Sequence, residues 1–479
     1  MAAANKNINT MNINTKKLPL SLWDKGFWKM TLSLALPIAL QNMLVASFGL
    51  VDTLMVGQLG DISLSATGMA GQWSWLLNMV LFGISSGAAV FISQYWGTQN
   101  LKGIRRVTGI ALSAGAILSV LFMLAGLFFP ETIIGIFNKT PEVVAEGSKY
   151  LRIACLSYPA LAVNMILCST LRSAEHPKLP MVTSIISALA NAILNYILIF
   201  PAGLGVEGAA IATAISMWLN TLLIITLSIS RMNILFAPLK EYFAFKISDV
   251  WEFFKKATPV IINETMWGMG TVTYNIIFAN MGHEEYAAIT IVRTFENIAF
   301  CFFIGLCSAC CVMVGKSIGA GDIREGIRSS KRFMILMPMT AGVVGILVIL
   351  FRAPLVSLFN LGSNISEYTI TTAQSIMIIY AVWAIVRNIP YLTVVGIFRP
   401  GGDTTMSMIT EIGALWLFAV PMTYLAAKVW GLPFLAVYAV MYLCEDVPKA
   451  IIFLIHWRSG KWIRPVTDAG KKGLAEFKK

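Results

Sequence analysis

Asp52 stands where a carboxylate costs most. It lies in "GLVDTLMVG" (49–57), within a run from Thr31 to Leu59 that is otherwise almost wholly apolar. A charge at the centre of a bilayer costs about 2.5–3.5 kcal/mol on insertion scales, so an intramembrane acid is a functional candidate by default. The chemistry open to it is to hold a small cation or a proton and release it again. Asp52 precedes Gly60 by eight residues, about 12 Å along a helix, too deep for so short a side chain to reach water. Asn191 and Asn195, in "ALANAILNYILIF", are four residues apart and share a helical face. Their amide oxygens suit a hard cation, or accept from a protonated Asp52. Thr213 in "GAAIATA" offers a hydroxyl. Taken singly, each of these three reads first as a helix–helix hydrogen bond, worth about 0.6 kcal/mol in lipid.

The second half of the chain carries a different set. Glu264 ("INETMWG") lies eight residues past Lys256. Arg293 and Glu296 are three apart and are expected to pair. Arg387 and Asn388 fall midway along an apolar run, and Glu445 and Lys449 have the i, i+4 spacing of a mutually neutralising pair. Enzyme chemistry finds no footing. There are three histidines (176, 283 and 456), all near expected loops, and neither a phosphate-binding P-loop nor an H-E-x-x-H motif. No ATP site means that work must come from an ion gradient, which supplies about 2.3 kcal/mol per charge per 100 mV. The seven cysteines all fall in apolar runs, which makes them packing residues; "CSACC" (307–311) lacks the histidines of a metal cluster. No cofactor is expected.

Helices must position these residues. The chain of 479 residues is 57% hydrophobic and 13% charged, against about 25% charged in soluble domains. In lipid every backbone polar group must be satisfied internally, so apolar runs of about 20 residues are helices. Twelve such spans are expected, at about 31–57, 66–95, 106–129, 150–171, 180–200, 208–230, 257–281, 287–314, 333–351, 370–397, 406–427 and 433–456. Between them lie turn sequences such as "GQLGD", "PAGLGVEG" and "FRPGGD".

The two halves repeat. Pro37 and Pro259 are 222 residues apart (259 − 37), and the same shift relates Gly60 to Gly282, Gly97 to Gly319 and Asn138 to Asn360. Under it Asp52 falls on Tyr274, and Glu264 on Asn42, so the halves differ chemically. Six spans per half is an even number. Both halves then enter from the same side and are related by an axis along the membrane normal, one of the repeat plans of secondary transporters. The expected organisation is a cytoplasmic polar tail at 1–28, an N-lobe at 29–230, a cytoplasmic linker at 231–256, a C-lobe at 257–457 and a basic cytoplasmic tail at 458–479. Two six-helix lobes can rock about a cleft between them.

The formal net charge of +12 does not mark a nucleic-acid binder. With both termini cytoplasmic, roughly 28 of the 36 Lys and Arg fall in the tails and inner loops and about 5 outside, which is the positive-inside bias.

Several segments are similar to those of the multidrug and toxic compound extrusion (MATE) family of bacterial type. They are "LPIALQNMLVASFGLVDTLMVGQLG", "ISQYWGTQN", "TLRSAEHPKLP", "GVEGAAIATAIS", "VGKSIGAGD" and "GIFRPGGDT". The resemblance covers about 31–457. It implies a multi-pass exporter of the cytoplasmic membrane that trades cationic drugs or metabolites for entering Na+ or H+, by alternating access. It further implies that Asp52, Asn191 and Thr213 belong to an N-lobe cation site. Asn195 stands where the family places an aspartate. Glu264 matches a helix-7 acid, and Asn388 falls where a helix-10 aspartate is common; with Tyr274 they form the expected second cation or substrate site. The implied partners are a small organic cation and membrane lipid, and the chain acts as a monomer. A lipid-linked oligosaccharide flippase of similar fold is the alternative, and it would need more cations at mid-span.

Overall fold

A computed structural model describes residues 24–230, 234–357 and 366–479. Residues 1–23 of the expected polar tail, 231–233 of the expected linker and Asn360 lie outside the described residues. Among the described residues there is no strand. Twelve long helices follow one another: α1 (Lys25–Gly57), α2 (Asp61–Gly97), α3 (Leu101–Phe128), α4 (Pro141–Ser173), α5 (Lys178–Ile199), α6 (Gly205–Ser230), α7 (Ile247–Ala279), α8 (His283–Ala320), α9 (Ile323–Ser357), α10 (Glu367–Gly401), α11 (Thr404–Val429) and α12 (Phe434–Ser459). A shorter α13 (Asp468–Phe477) closes the chain. Ten of the twelve are long and apolar enough to cross a membrane by length and hydropathy. The other two are of similar length, but α7 carries Glu264 and α12 carries Glu445, Asp446 and Lys449. The all-helical, twelve-span expectation is met. The helices overrun the apolar runs because polar end residues extend the hydrogen-bonded ladder: "REGIRSSKR" forms the first turns of α9.

The outward surface is apolar. On α9, Met339, Val343, Ile346 and Leu350 recur at helical spacing and are all exposed. That stripe is what a lipid-facing helix presents. Lipid gives no hydrophobic drive for helix association, so packing depends on small residues that let backbones meet.

The chain forms two units. One comprises Leu36–Ile92 and Asn100–Thr265 and is here called the N-terminal unit; the C-terminal unit comprises Met1–Ala35, Ser93–Gln99 and Met266–Lys479. The boundaries fall inside α1, α2 and α7 and in the turn between α2 and α3. Within the N-terminal unit, Gly83 and Gly87 of α2 meet Ile261 and Ala257 of α7, and a methyl added to Gly87 would lie 2.6 Å from that of Ala257. Helices α1 and α5 are joined twice, by Gln41 Nε2 donating to Ser184 Oγ at 2.8 Å and by Asn195 Nδ2 donating to Asp52 Oδ1 at 2.6 Å. The partners are eleven residues apart on each helix, about three turns, so both bonds lie on the same seam.

The C-terminal unit has an aromatic core in which Phe303, Phe333, Phe398, Phe453 and Trp462 are buried. Asp24 caps the start of α1: backbone N–H groups of Gly26 and Phe27, and then the Arg332 guanidinium, hold its carboxyl below the usual range. The unit also contains a reciprocal contact between α2 and α8. Gly97 lies on the Lys316 carbonyl and Gly319 lies on the Gln94 carbonyl. Lys316 is Gln94 shifted by 222 residues, and Gly319 is Gly97 shifted by the same amount. Between them, Gly315 faces Ser93, also 222 apart. The sequence repeat therefore survives as a contact whose two sides are equivalent.

The segment after α12 is built into this unit. Arg464 N donates to Gly401 O at 2.7 Å, Val466 N to Gln94 Oε1 at 2.8 Å and Thr467 Oγ1 to Gly319 O at 2.6 Å. Gly473 packs directly on Gly321. Asp403, fully buried, is the hub: it accepts from His456 Nε2 at 2.9 Å and Arg464 Nη1 at 3.0 Å, and caps α11 through Met406 N. Asp403→Asn keeps the cap but removes the charge that holds Arg464 and His456. Arg464 is half-exposed and can turn to water, so the cost falls mainly on the buried bond to His456, about 1–3 kcal/mol, and the thermal midpoint of the purified protein should fall. Asn100→Ala, which removes an exposed cap on α3, should cost about 1 kcal/mol.

Candidate functional site

Four of the residues singled out by type and spacing converge in the N-terminal unit. Asn195 is fully buried and reaches two of the others at once: its Nδ2 donates to Asp52 Oδ1 at 2.6 Å and to Asn191 Oδ1 at 3.2 Å. Asn195 Oδ1 has no hydrogen-bond partner. Thr213 of α6 completes the group through Tyr150 of α4, which lies beside Thr213 and within electrostatic reach of Asp52. Four helices thus contribute one polar group or more: α1, α4, α5 and α6.

Tyr150 was missed by sequence reasoning. Its only signal was a hydroxyl on the first residue of an expected span. Packing explains its place. Val56, Ile199 and Ala209 form a small buried cluster, with Tyr150 packed against it. Val56 is one turn beyond Asp52, Ile199 one turn beyond Asn195, and Ala209 one turn before Thr213. Each helix therefore sets an apolar residue one turn from its polar one, on the same face. The three apolar residues lie one turn nearer than the polar group to the loops at 58–60 and 200–204.

The second set is arranged otherwise. Glu264 belongs to the N-terminal unit; Tyr274 and Asn388 belong to the C-terminal unit. Asn388 Nδ2 turns back to Ala384 O on its own helix at 2.7 Å, whereas the Tyr274 hydroxyl donates to Glu445 Oε2 at 2.8 Å. Tyr274 and Asn388 share no hydrogen bond. The expected pair of Arg293 with Glu296 is not formed and is corrected here: Glu296 Oε1 instead accepts from the Tyr438 hydroxyl at 3.0 Å and the Tyr442 hydroxyl at 3.4 Å. A three-residue spacing allows that salt bridge, but two phenols from α12 satisfy the acid without it. Arg387 joins the same network, donating to Tyr442 Oη at 2.8 Å and lying over its ring at 5.3 Å. The expected Glu445–Lys449 pair is present at 2.7 Å.

All seven cysteines are unpaired. Among the described residues no cluster of three or more His, Cys, Asp or Glu could hold a metal. The polar group around Asp52 has one carboxylate and neutral oxygens, a donor set for a singly charged ion or a proton.

Comparison with known proteins gives a consistent result. The MatE family profile matches residues 37–197 and 259–425. The two matches begin at Pro37 and Pro259, the pair that opens the internal repeat. Among curated relatives, "Probable multidrug resistance protein NorM" of Thermotoga maritima is 26% identical over 91% of this chain and 93% of its own length. "Multidrug and toxin extrusion protein 1" of Homo sapiens is 25% identical over 88% of this chain and 73% of its own. Among solved structures, the crystal structure of MATE in complex with MaL6 has a TM-score of 0.82 at 18% identity, covering 98% of this chain and 99% of that one. An outward-facing multidrug resistance MATE family transporter of the MOP superfamily also scores 0.82 at 18% identity, with 94% and 97% covered.

Proposed function

The chain belongs to the MatE family of transporters, and from that premise we propose that it is a secondary active exporter in which Asp52, assisted by Asn191, Asn195 and Thr213, binds and releases the coupling cation that is exchanged for an organic cation bound elsewhere. The observation that carries this reading is the state of Asn195. Its amide N–H groups grip Asp52 and Asn191 while its own oxygen is left buried without a partner. An unpaired buried acceptor costs about 1–3 kcal/mol. Turning the amide over would place Oδ1 toward Asp52. That orientation is wrong for a bare carboxylate. It is right for a protonated one, whose O–H it accepts, and for a sodium ion, to which it adds a ligand. The arrival of either cation therefore reverses the preferred orientation of one buried side chain, and the α1–α5 seam reports the change along both helices.

In this reading the apolar stack of Val56, Ile199 and Ala209 bars the cation from one end, so exchange proceeds by alternating exposure. The lobes at 29–230 and 257–457 are the moving bodies, both termini are cytoplasmic, the membrane is the cytoplasmic membrane, and one chain suffices. The names of the relatives, multidrug resistance and toxin extrusion proteins, support a small organic molecule as cargo, and on this reading it is a cation. The test is transport by the purified protein in liposomes, with a panel of aromatic monocations including ethidium, under sodium and pH gradients imposed separately. Movement of a dye with one gradient and not without it is expected. Equal dye movement with and without either gradient would overturn the reading.

A further inference from the structure

The C-terminal unit holds a carboxylate that nothing yet described uses. Asp446 lies on α12, is 6% exposed, and among the described residues accepts no hydrogen bond and forms no ion pair within 4 Å. Its surroundings are nevertheless rich in charge. Glu445 and Lys449 flank it on its own helix, Arg387 faces it from α10 and Glu411 from α11. Tyr274 of α7 lies within reach of its charge. Both cations are already engaged. Lys449 bonds Glu445 at 2.7 Å, and Arg387 bonds Tyr442 at 2.8 Å beside Glu296. Lys449 is thus paired with Glu445 and Arg387 is held by the Tyr442 phenol, and neither forms an ion pair with Asp446.

A buried, unpaired carboxylate is not left charged in a low dielectric; it neutralises or acquires a partner. Sodium fits poorly. Two cationic side chains lie close by, both donor-only, and a hard cation needs several oxygens. A proton needs one. We propose that Asp446 is a proton-binding site in the C-terminal unit, separate from Asp52, which takes one proton from water and returns it. The neutral form is favoured when Lys449 stays with Glu445 and Arg387 with Tyr442. The charged form is favoured when either cation is released toward Asp446. Movement of α10 or α12 that loosens the Arg387–Tyr442 or Lys449–Glu445 bond therefore expels the proton. The link from this exchange to cargo rests on the exporter reading above; the proton site itself does not.

The experiment is infrared difference spectroscopy of the full chain in lipid, between mildly acidic and mildly alkaline buffer. It reads the carboxylic acid C=O band of wild type, Asp446→Asn and Asp446→Glu. Asp446→Asn is expected to lose one component of that band, and Asp446→Glu to keep the component at a shifted frequency. If Asp446→Asn does not fold, the shift in Asp446→Glu decides alone. A band unchanged in every variant that folds would overturn the proposal. A lost or shifted component in a protein that moves no dye would sustain the proton site and sink the exporter reading. If both stand, protons taken up per ethidium exported should fall about twofold in Asp446→Asn.

Discussion

Asp52→Asn is expected to abolish gradient-driven export while leaving the fold and dye binding in place. The substitution is nearly isosteric, and its amide oxygen can still accept from Asn195 Nδ2, so the α1–α5 seam of Gln41–Ser184 and Asn195–position 52 survives. On the proposed reading, what is lost is the group of the N-terminal unit whose charge changes when a cation arrives. That unit then gives the gradient nothing to act on. Coupling free energies between sites run at about 1–3 kcal/mol, or up to about 150-fold, and a loss of about 100-fold in the gradient-dependent rate is expected. Dye affinity, measured by fluorescence quenching, should change less than about 3-fold on the same scale. An Asp52→Asn protein that still follows the gradient would remove Asp52 from its assigned role. The companion variant Asn195→Ala separates the two functions of that residue: it leaves Asp52 without its donor and should slow export without abolishing it.

Gly319→Val should prevent the protein from reaching its folded state. Gly319 has no room for a Cβ because the backbone of α2 at Gln94 occupies that space, and Gly97 meets the Lys316 carbonyl in the same way. Main chain cannot yield as a side-chain tip does. Overpacking a core costs about 1–3 kcal/mol, occasionally more, and this site belongs at the upper end. The unfolding midpoint should drop steeply, and the yield of extracted protein with it. Gly135→Ala is the control, since a methyl there meets nothing within 4 Å and should leave both measurements unchanged. Gly97→Ala and Gly319→Ala together should cost less than the two apart. The first already separates the helices that the second would separate, and neighbouring sites do not add.

Much of this was legible from residue order because lipid restricts the choices. Twelve apolar runs became twelve helices, since a continuous apolar run can satisfy its own backbone in lipid only as a helix, whereas a barrel strand alternates apolar and polar residues. The i, i+4 spacing of Asn191 and Asn195 placed both on one face, and the structure brings that face to Asp52. Contacts that depend on which helix lies opposite were not legible. Tyr150 approaches Thr213 only because α4 packs beside α6, and no spacing within α4 signals it. Arg293 and Glu296 have a spacing that favours a salt bridge, yet tertiary packing gives Glu296 two tyrosines. Asp446 was passed over beside Glu445 and Lys449, since a charge-rich triplet looks self-neutralising until burial and bonding are known. The segment after Ser459 read as basic residues, whereas the Val466 N–H and the Thr467 hydroxyl supply the bonds that seat it against α2 and α8.

The mutual seating of Gly97 and Gly319 carries a message about ancestry. A surface patch that pairs with a displaced copy of itself is what two identical short polypeptides make when they associate about a shared axis. Two copies of a half-length chain that met through this patch would make the same Gly-on-carbonyl fit twice, once for each partner. Elsewhere the halves differ, Asp52 in one standing where Tyr274 stands in the other, while this interface keeps the two sides equivalent.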